Sequence, residues 1–291
     1  MAGANRFTVF SLLKYLFIAA FAMIIIYPML HILAVSLSEN YYILTRTITF
    51  YPRGFKTDAY KMIWDSTGLA DAYINTIKYV AGHVILAMFV STLAAYALSK
   101  GRRMWGFGFF TSMILVSMFF SAGMIPMYLT MRVYGLINSG WSVVILGCAS
   151  AFNIIVLKTF FQSIPKDLED AGKIDGLDDF GAFRYVTLPL SSAVISTVAL
   201  FYAVGQWNAY MTPFIYLTER EKWPVQILLR QMLLAGQTFS NDHNQIATDS
   251  YLLGESLVNA TIIVSILPMI VIYPFLQKYF AKGVMVGSIK G

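Results

Sequence analysis

The sequence predicts an all-α membrane protein with six transmembrane helices. Hydrophobic residues make up 58 % of the 291 residues and charged residues only 12 %, whereas a soluble domain carries about 25 % charged residues. Apolar runs of roughly 20 residues recur along the chain, which is the length that crosses about 30 Å of hydrocarbon as a helix. A helix also satisfies its own backbone hydrogen bonds in lipid. Continuous apolar runs such as residues 21–26 do not alternate as the strands of a membrane barrel do.

We interpret residues 1–291 as one transmembrane domain. The six predicted spans are residues 12–36, 73–98, 108–131, 138–160, 190–214 and 256–280. The first span is longer than the apolar core of a signal peptide, about 7–15 residues, so we expect it to be retained. Two long polar segments, 37–72 and 215–255, are predicted outer loops, and the most charged segment, 161–189, is predicted on the opposite side.

The distribution of basic residues predicts the orientation in the membrane. The net charge of +6 comes from Lys and Arg at the ends of apolar runs. No basic patch is interleaved with aromatic residues, so we expect no nucleic-acid partner. The basic residues are densest at the N-terminus, in 99–107, in 157–189 and in the tail after residue 280. Because positively charged loops stay in the cytoplasm, both termini are predicted to be cytoplasmic.

Residues 165–190 predict a helix–turn–helix between the fourth and fifth spans. Pro165 suits a helix start, and acidic residues follow in the first turns, where the helix dipole favours them. Apolar residues recur at helical spacing and form a stripe: Leu168, Ala171 and Ile174. Asp175-Gly176 ends this helix, and Pro189 opens the fifth span. The short helix between them carries Phe180, Phe183 and Val186.

This cytoplasmic segment is predicted to dock into another protein. An amphipathic loop lying on the membrane surface is the alternative, but such loops are usually basic. The segment instead carries six acidic residues, namely Asp167, Glu169, Asp170, Asp175, Asp178 and Asp179. An apolar stripe beside an acidic face fits a groove in a partner protein better than a lipid surface.

The same segment resembles the EAA motif of ABC importer permeases. The motif residues present are Glu169, Ala171, Asp175, Gly176, Phe183, Leu188 and Pro189. Asp170 stands where the family usually has an alanine. The resemblance implies the fold of a type I ABC importer permease, in which this segment is the coupling helix that sits in a cleft of a separate ATPase. These seven residues are then expected to couple the chain to that ATPase.

Other stretches resemble the maltose-type, binding-protein-dependent branch for carbohydrate uptake, closest to aldouronate and alginate oligosaccharide importers. They are residues 52–55 with 60–61, 95–100, 118–123 with 125–126, 205–208, and the ending 273–280, 283–287 and 290–291. The resemblance implies a carbohydrate substrate, such as an oligo-uronide, and a bacterial cytoplasmic membrane. It also implies three kinds of protein partner: a homologous second permease forming a heterodimer, two ATPase subunits that use ATP and Mg, and an extracytoplasmic solute-binding protein.

Polar residues inside the spans are candidates for a sugar pathway. A sugar needs hydrogen bonds that replace water and flat faces for its rings, which amide and aromatic side chains supply. The candidates are Asn153, Tyr202, Gln206, Trp207, Asn208, Tyr210 and Asn259. Gln206 and Tyr210 are four residues apart and would share one helix face. Hydrogen bonding between helices is the alternative role for all of these residues.

The long outer loop offers candidates for contact with the solute-binding protein. They are Trp223, Pro224 and Gln226, with the 238–245 stretch beside them. A solvated loop without a partner is the alternative. We expect this side of the chain to contact membrane lipid and the binding protein.

The sequence carries no signature of catalysis. It contains no G-x-x-x-x-G-K-[ST] phosphate loop, so we expect no ATP site, no cofactor and no enzymatic activity in this chain. His31, His83 and His243 show no metal-ligand spacing. An ion-driven secondary transporter, a membrane enzyme and an ABC permease for a non-sugar substrate are the competing hypotheses. An ion-driven carrier needs ionisable residues inside its spans, and the predicted spans have almost none.

Overall fold

The computed structural model describes residues 9–65, 68–241 and 255–271, and within them every side chain except those of 9, 44 and 235–241. The secondary structure of these residues is helical, without a β-strand, as predicted. They form two compact units, which fall within Met1–Leu69 with Leu228–Pro268 and within Ala70–Ile227 with Met269–Gly291.

The first unit is built on one long apolar helix. Its helices are α1 (Val9–Ser36), α2 (Asn40–Leu44) and α3 (Asp58–Asp65), with most of α14 (Val225–Asn241) and α15 (Glu255–Val271). A small core closes the end of α1: Ala34, Val35, Ile43 and Ile48. Ser38 fixes the turn after α1, since its Oγ donates to Ala34 O at 2.6 Å and accepts from Arg53 N at 3.0 Å. The rest of α1 is exposed and apolar, so it is available to lipid or another subunit.

The second unit packs several helices around the long α4. Its helices are α4 (Leu69–Ser99), α5 (Phe107–Phe119), α6 (Met124–Val133), α7 (Gly140–Ile145), α8 (Ala151–Ser163), α9 (Lys166–Ile174), α10 (Asp179–Ala182), α11 (Leu188–Leu190), α12 (Ser192–Trp207) and α13 (Met211–Tyr216). A π-turn covers Phe183–Thr187. The core joins α4, α8 and α12 through Ala87, Ala95, Leu98, Ile154, Leu157, Phe161 and Val198.

Two of the described helices are long and apolar enough to cross a membrane by length and composition. They are Phe10–Ser36 and Leu69–Ser99, which match the first two predicted spans. Two bent pairs of helices raise the number to as many as four: α5 with α6, and Asp179–Leu190 with α12. The sixth predicted span is described as a helix up to Val271, and its last residues lie outside the described part. The count of six stays a prediction.

Three of the predicted spans are interrupted. The breaks fall at 120–123, 146–150 and 208–210. The first break bends the chain by 120° between α5 and α6, and a further bend of 83° precedes α12 at Ser191. Gly123 and Gly147 adopt positive φ angles of 82° and 78° in two of these breaks, a conformation that favours glycine. Apolar composition alone did not predict them.

The backbone groups freed by the second break find partners on neighbouring helices. In lipid an unpaired backbone group is costly, so a broken span needs such partners. Three side chains from α4 and α12 supply them: His83 Nδ1 donates to Val144 O (2.8 Å), Gln206 Nε2 donates to Val143 O (3.3 Å), and the Tyr202 hydroxyl accepts from Ser150 N (3.2 Å). The break is therefore stabilised by specific hydrogen bonds within this unit.

Candidate functional site

The first helix of the charged segment begins and ends where the sequence predicts. Pro165 occupies the N-cap position of α9, and Asp167 and Glu169 lie in its first turn, where the helix dipole favours acidic groups. Gly176 has φ +87° and follows the last turn. The chain then reverses, and Leu177 N donates to Gly172 O at 2.9 Å. The predicted stop at Asp175-Gly176 is confirmed.

The Glu169 carboxylate ties this helix to the end of α4. Its Oε2 accepts a hydrogen bond from Lys100 Nζ at 2.6 Å, and both side chains are only 21 % exposed. Its Oε1 accepts from Thr187 Oγ1 at 3.5 Å. A charge-assisted hydrogen bond that is mostly withdrawn from water is among the stronger polar contacts in a protein. One carboxylate thus joins α4, α9 and the π-turn.

The ammonium group of Lys100 also contacts an aromatic ring. Lys100 Nζ lies 4.1 Å from the centre of the Tyr96 ring, a cation–π contact. Burial lowers the pKa of Lys100, but its hydrogen bonds to Glu169 and Tyr96 outweigh that effect and raise the pKa above its ordinary value. Lys100 therefore stays charged at any physiological pH. The Tyr96 hydroxyl donates to Asp179 O at 3.0 Å. This bond holds the start of α10 to α4.

An exposed ion pair closes the turn between the two short helices. Lys173 Nζ lies 3.0 Å from Asp179 Oδ1. The hydrogen bond and charge of Lys173 hold the pKa of Asp179 below its ordinary value. This contribution to stability is present above that ordinary value and is lost as the pH falls through the lowered one. Asp178 caps α10, since its Oδ1 accepts from Gly181 N at 2.7 Å.

The predicted motif residues divide into two groups: an anchor, which holds the segment to the chain's own helices, and an exposed surface. Phe183 is buried and packs on Tyr96 with ring centres 4.8 Å apart, so it belongs with Glu169 to the anchor. Ala171, Asp175, Gly176 and Pro189 are exposed, and Leu188 is half-buried. The stripe predicted on α9 is also exposed: Leu168 is 45 % and Ile174 88 % accessible. Phe180 and Tyr185 extend this apolar surface.

Tyr202 and Gln206 use their polar groups within the chain. Besides its bond to Ser150 N, the Tyr202 hydroxyl lies 2.7 Å from Ser91 Oγ, and the side chain is 5 % exposed. Gln206 donates to the carbonyl of Val143. These contacts give both residues the interhelical role that was the alternative to a sugar pathway.

Trp207 differs from its neighbours because its donor has no hydrogen-bond partner among the described residues. The side chain is 6 % exposed and lies beside Tyr73, with ring centres 6.2 Å apart. Its Nε1 is buried and makes no hydrogen bond to any described residue. A buried N–H without an acceptor costs about 1–3 kcal/mol, so this donor is a feature that needs an explanation.

The remaining pathway candidates are scattered. Asn208 is exposed and donates to Val204 O at 2.9 Å. The shared face expected for Gln206 and Tyr210 does not form, because α12 ends at Trp207. Asn153 is buried in the first turn of α8. Asn259 belongs to the first unit and donates to Glu255 O in its own helix at 2.8 Å.

One face of α12 is exposed among the described residues, and Asn208 is its one member that the sequence analysis proposed. Phe201, Val204, Gly205 and Asn208 follow each other at helical spacing, and all are exposed. A Cβ atom added at Gly205 would meet no atom within 4 Å. The i, i+3, i+4, i+7 pattern was readable in the sequence. The face contains only one polar side chain, so a search for polar residues missed it.

The predicted contact residues of the outer loop are partly used inside the chain. Trp223 is half-buried and donates from Nε1 to Leu217 O at 3.1 Å, while Pro224 is buried and Gln226 half-buried. The loop is fastened to its own unit, because Asn75 Nδ2 donates to Glu221 O at 2.7 Å. The 242–245 stretch lies outside the described residues.

Comparison with known proteins places these features in a family. The family described as "Binding-protein-dependent transport system inner membrane component" matches residues 7–286. A polygalacturonan/rhamnogalacturonan transport system permease protein of Bacillus subtilis, YtcP, is 37 % identical over 282 residues, covering 97 % of this chain and 98 % of its own. The diacetylchitobiose uptake system permease protein NgcG of Streptomyces coelicolor is 25 % identical, covering 99 % and 92 %.

A solved structure is similar over almost the whole chain. It is a chain of a bacterial ABC transporter involved in the import of the acidic polysaccharide alginate, with 30 % sequence identity and a TM-score of 0.82. The similarity covers 96 % of this chain and 99 % of that one. The fold is therefore that of an ABC importer permease, as the sequence predicts.

The contact between Lys100 and Glu169 can be tested by exchanging the charges. We expect Lys100→Glu and Glu169→Lys each to lower the free energy of unfolding by about 1.5–3 kcal/mol, because each leaves two like charges face to face. The double variant should recover much of this loss, and thermal unfolding of the four proteins gives the coupling energy.

The exposed pair Lys173 and Asp179 provides the matched control. The same exchange there should give a coupling below about 1 kcal/mol, since water screens the pair. If the Lys100 pair couples no more strongly than this exposed pair, the Glu169 carboxylate is not the anchor of α9.

Proposed function

This chain belongs to the family of binding-protein-dependent transport system inner membrane components, and we propose that it is the permease subunit of an ABC importer for sugar oligosaccharides. It spans the bacterial cytoplasmic membrane with both termini in the cytoplasm. It hydrolyses no ATP itself and takes its energy from two ATPase subunits that bind ATP and Mg. The relatives that transport sugars, at up to 37 % identity over nearly the full chain, support this proposal.

The observation that carries the proposal is the apolar surface on an anchored α9. A nine-residue helix has little stability alone in water, yet this one leaves Leu168 and Ile174 exposed. Large apolar side chains that cluster on an otherwise charged surface mark an interaction site. Its partner in the importer is the ATPase, which receives Leu168, Ala171 and Ile174 in a cleft.

The anchor gives this contact a mechanical consequence. The Glu169 carboxylate links α9 to Lys100 at the end of α4 and to Thr187 in the π-turn that leads towards α12. A displacement of α9 by the ATPase therefore moves two helices of the bundle together. Alternating access to the sugar pathway follows when these helices shift between two arrangements.

We propose an acidic oligosaccharide as the substrate. YtcP belongs to a transport system for polygalacturonan and rhamnogalacturonan, and the solved importer takes up alginate. All three polymers contain uronic acids. An oligo-uronide is therefore a better candidate for this chain than an uncharged sugar, and a solute-binding protein outside the membrane would deliver it to the outer loop near Trp223 and Gln226.

The sugar passes along the exposed face of α12. Phe201 offers a flat apolar surface for a sugar ring and Asn208 an amide for its hydroxyl groups, while Gly205 leaves space between them. A second, homologous permease closes the other side of the pathway. Tyr202 and Gln206 support this face from behind by pairing with α7 and the break that follows it.

The ATPase contact is tested by Ile174→Asp. The side chain is 88 % exposed, so the substitution should leave thermal stability unchanged. It should weaken ATPase binding about tenfold or more, because it replaces a buried apolar contact by a charge. Co-purification of the ATPase and ATP-dependent uptake into vesicles measure the effect. Ile174→Leu, which keeps the apolar surface, is the control. Normal uptake by Ile174→Asp would contradict the docking of α9.

The substrate class is tested with the complete importer in vesicles. Oligo-uronides with the binding protein should stimulate the ATPase, whereas uncharged oligosaccharides of equal length should not. Stimulation by uncharged sugars alone would refute the acidic substrate while leaving the sugar importer intact. Uptake that follows an ion gradient and ignores ATP would refute the importer itself.

The pathway on α12 is tested by Gly205→Phe and Gly205→Ala. Because a Cβ at Gly205 meets nothing within 4 Å, neither substitution should lower the thermal stability of the chain. The phenyl ring should reduce uptake about tenfold or more by filling the pathway, and Ala should transport nearly normally. Unchanged uptake by Gly205→Phe would place the pathway elsewhere, and failure of the second permease to assemble would show that it covers this face.

A further inference from the structure

A charged cavity lies between the turn after α4 and the start of α9. Its volume is about 420 Å³. Six charged side chains line it: Lys100, Arg102, Arg103, Lys166, Glu169 and Asp170. Nothing in the coupling of α9 to α4 uses this space beyond the contact between Lys100 and Glu169.

The cavity has an excess of positive charge. Lys100 and Glu169 neutralise each other at 2.6 Å. Arg102, Arg103 and Lys166 form no ion pair within the part of the chain that the structure describes. Asp170 is the acidic side chain that opposes them. Two guanidinium groups and an ammonium group around one cavity are the donors that bind a phosphate group in proteins.

A separate apolar groove is lined by residues next in sequence to those of the cavity. It measures about 470 Å³ and lies between α4, α5 and α8. The residues that line it include Val90, Ala94, Ala97, Leu98, Met104 and Phe110. Leu98 and Met104 line the groove. Their sequence neighbours Ser99 and Arg103 line the cavity. The two spaces are therefore lined by consecutive residues at two points of the chain.

The position of both spaces matches the boundary of a bilayer. The apolar helix α4 ends at Ser99, where the cavity begins. Trp105 beside it is 89 % exposed, and exposed tryptophans favour the level of the lipid headgroups. The cavity then lies among headgroups and the groove among acyl chains. Basic pockets between membrane helices at this depth bind anionic headgroups.

We infer that the cavity and the groove together bind one anionic phospholipid. Arg102, Arg103 and Lys166 hold its phosphate, and an acyl chain occupies the groove along Ala94 and Ala97. Because Lys166 belongs to α9 and Arg102 follows α4, the bound lipid bridges the same two elements that Glu169 joins. Anionic lipid thereby strengthens the connection between the docking helix and the membrane bundle.

Lipid binding is measured on the purified importer complex by native mass spectrometry during titration with phosphatidylglycerol or phosphatidylcholine. We expect preference for phosphatidylglycerol and at least about tenfold weaker binding by Arg102→Gln/Arg103→Gln, which loses two charge-assisted contacts. Lys61→Gln/Arg132→Gln, which removes two exposed basic residues elsewhere, is the matched control and should bind normally. Equal affinity of the two double variants would overturn the proposal.

Substitutions in the groove separate a lipid from a free phosphate. Ala97→Trp should displace the acyl chain, and the milder Ala94→Leu should weaken binding to a smaller degree if the larger side chain prevents folding. Millimolar glycerol 3-phosphate should not compete with the lipid. Complete competition by glycerol 3-phosphate would show a simple phosphate site. If the groove variants no longer assemble with the second permease but still bind the lipid, a protein helix fills the groove. Either result would overturn the proposal.

Discussion

The hydrogen-bonded ion pair between Glu169 and Lys100 is the contact on which the charged segment 165–190 depends. A helix of nine residues with its apolar side chains in water does not persist by its own propensity. It persists here because one carboxylate accepts from α4 on one side and from the π-turn on the other. Withdrawal from water makes this contact stronger than the exposed pair of Lys173 and Asp179, although both involve the same charges.

This anchor explains why a short motif combines residues with opposite environments. Glu169 and Phe183 face the chain's own helices, while Ala171 and Ile174 face outwards. A segment that only bound a partner would need no inward contacts, and a structural turn would need no exposed apolar stripe. The combination is what the proposed transmission of movement would require, because force from an ATPase would reach α4 and α12 only if the receiving helix is fixed to them.

Sequence reasoning succeeded where local chemistry decides the structure and failed where tertiary contacts do. Length and apolar composition predict the helices α1 and α4, and Pro165 and Gly176 predict the ends of α9. The interruption at 146–150 was not predictable in this way, since its residues are as apolar as the spans around it. It exists because His83, Gln206 and Tyr202 supply partners from distant positions, which hydropathy does not register.

The same distinction decides which polar residues of a span serve transport. A side chain whose groups are paired within the chain, as those of Tyr202 are, already has a structural reason to be there. Trp207 has a buried donor with no acceptor among the described residues, and such a group is too costly to be incidental. Its acceptor therefore lies outside the described residues: in the rest of the chain, an ordered water, the second permease or a bound sugar. Because Trp207 is the last residue of α12, a change at the following break, where residues 208–210 are not helical, would alter access to its N–H. A buried donor that lacks an acceptor among the described residues and lies beside a helix break is thus a more specific feature to test than the number of polar residues in the span.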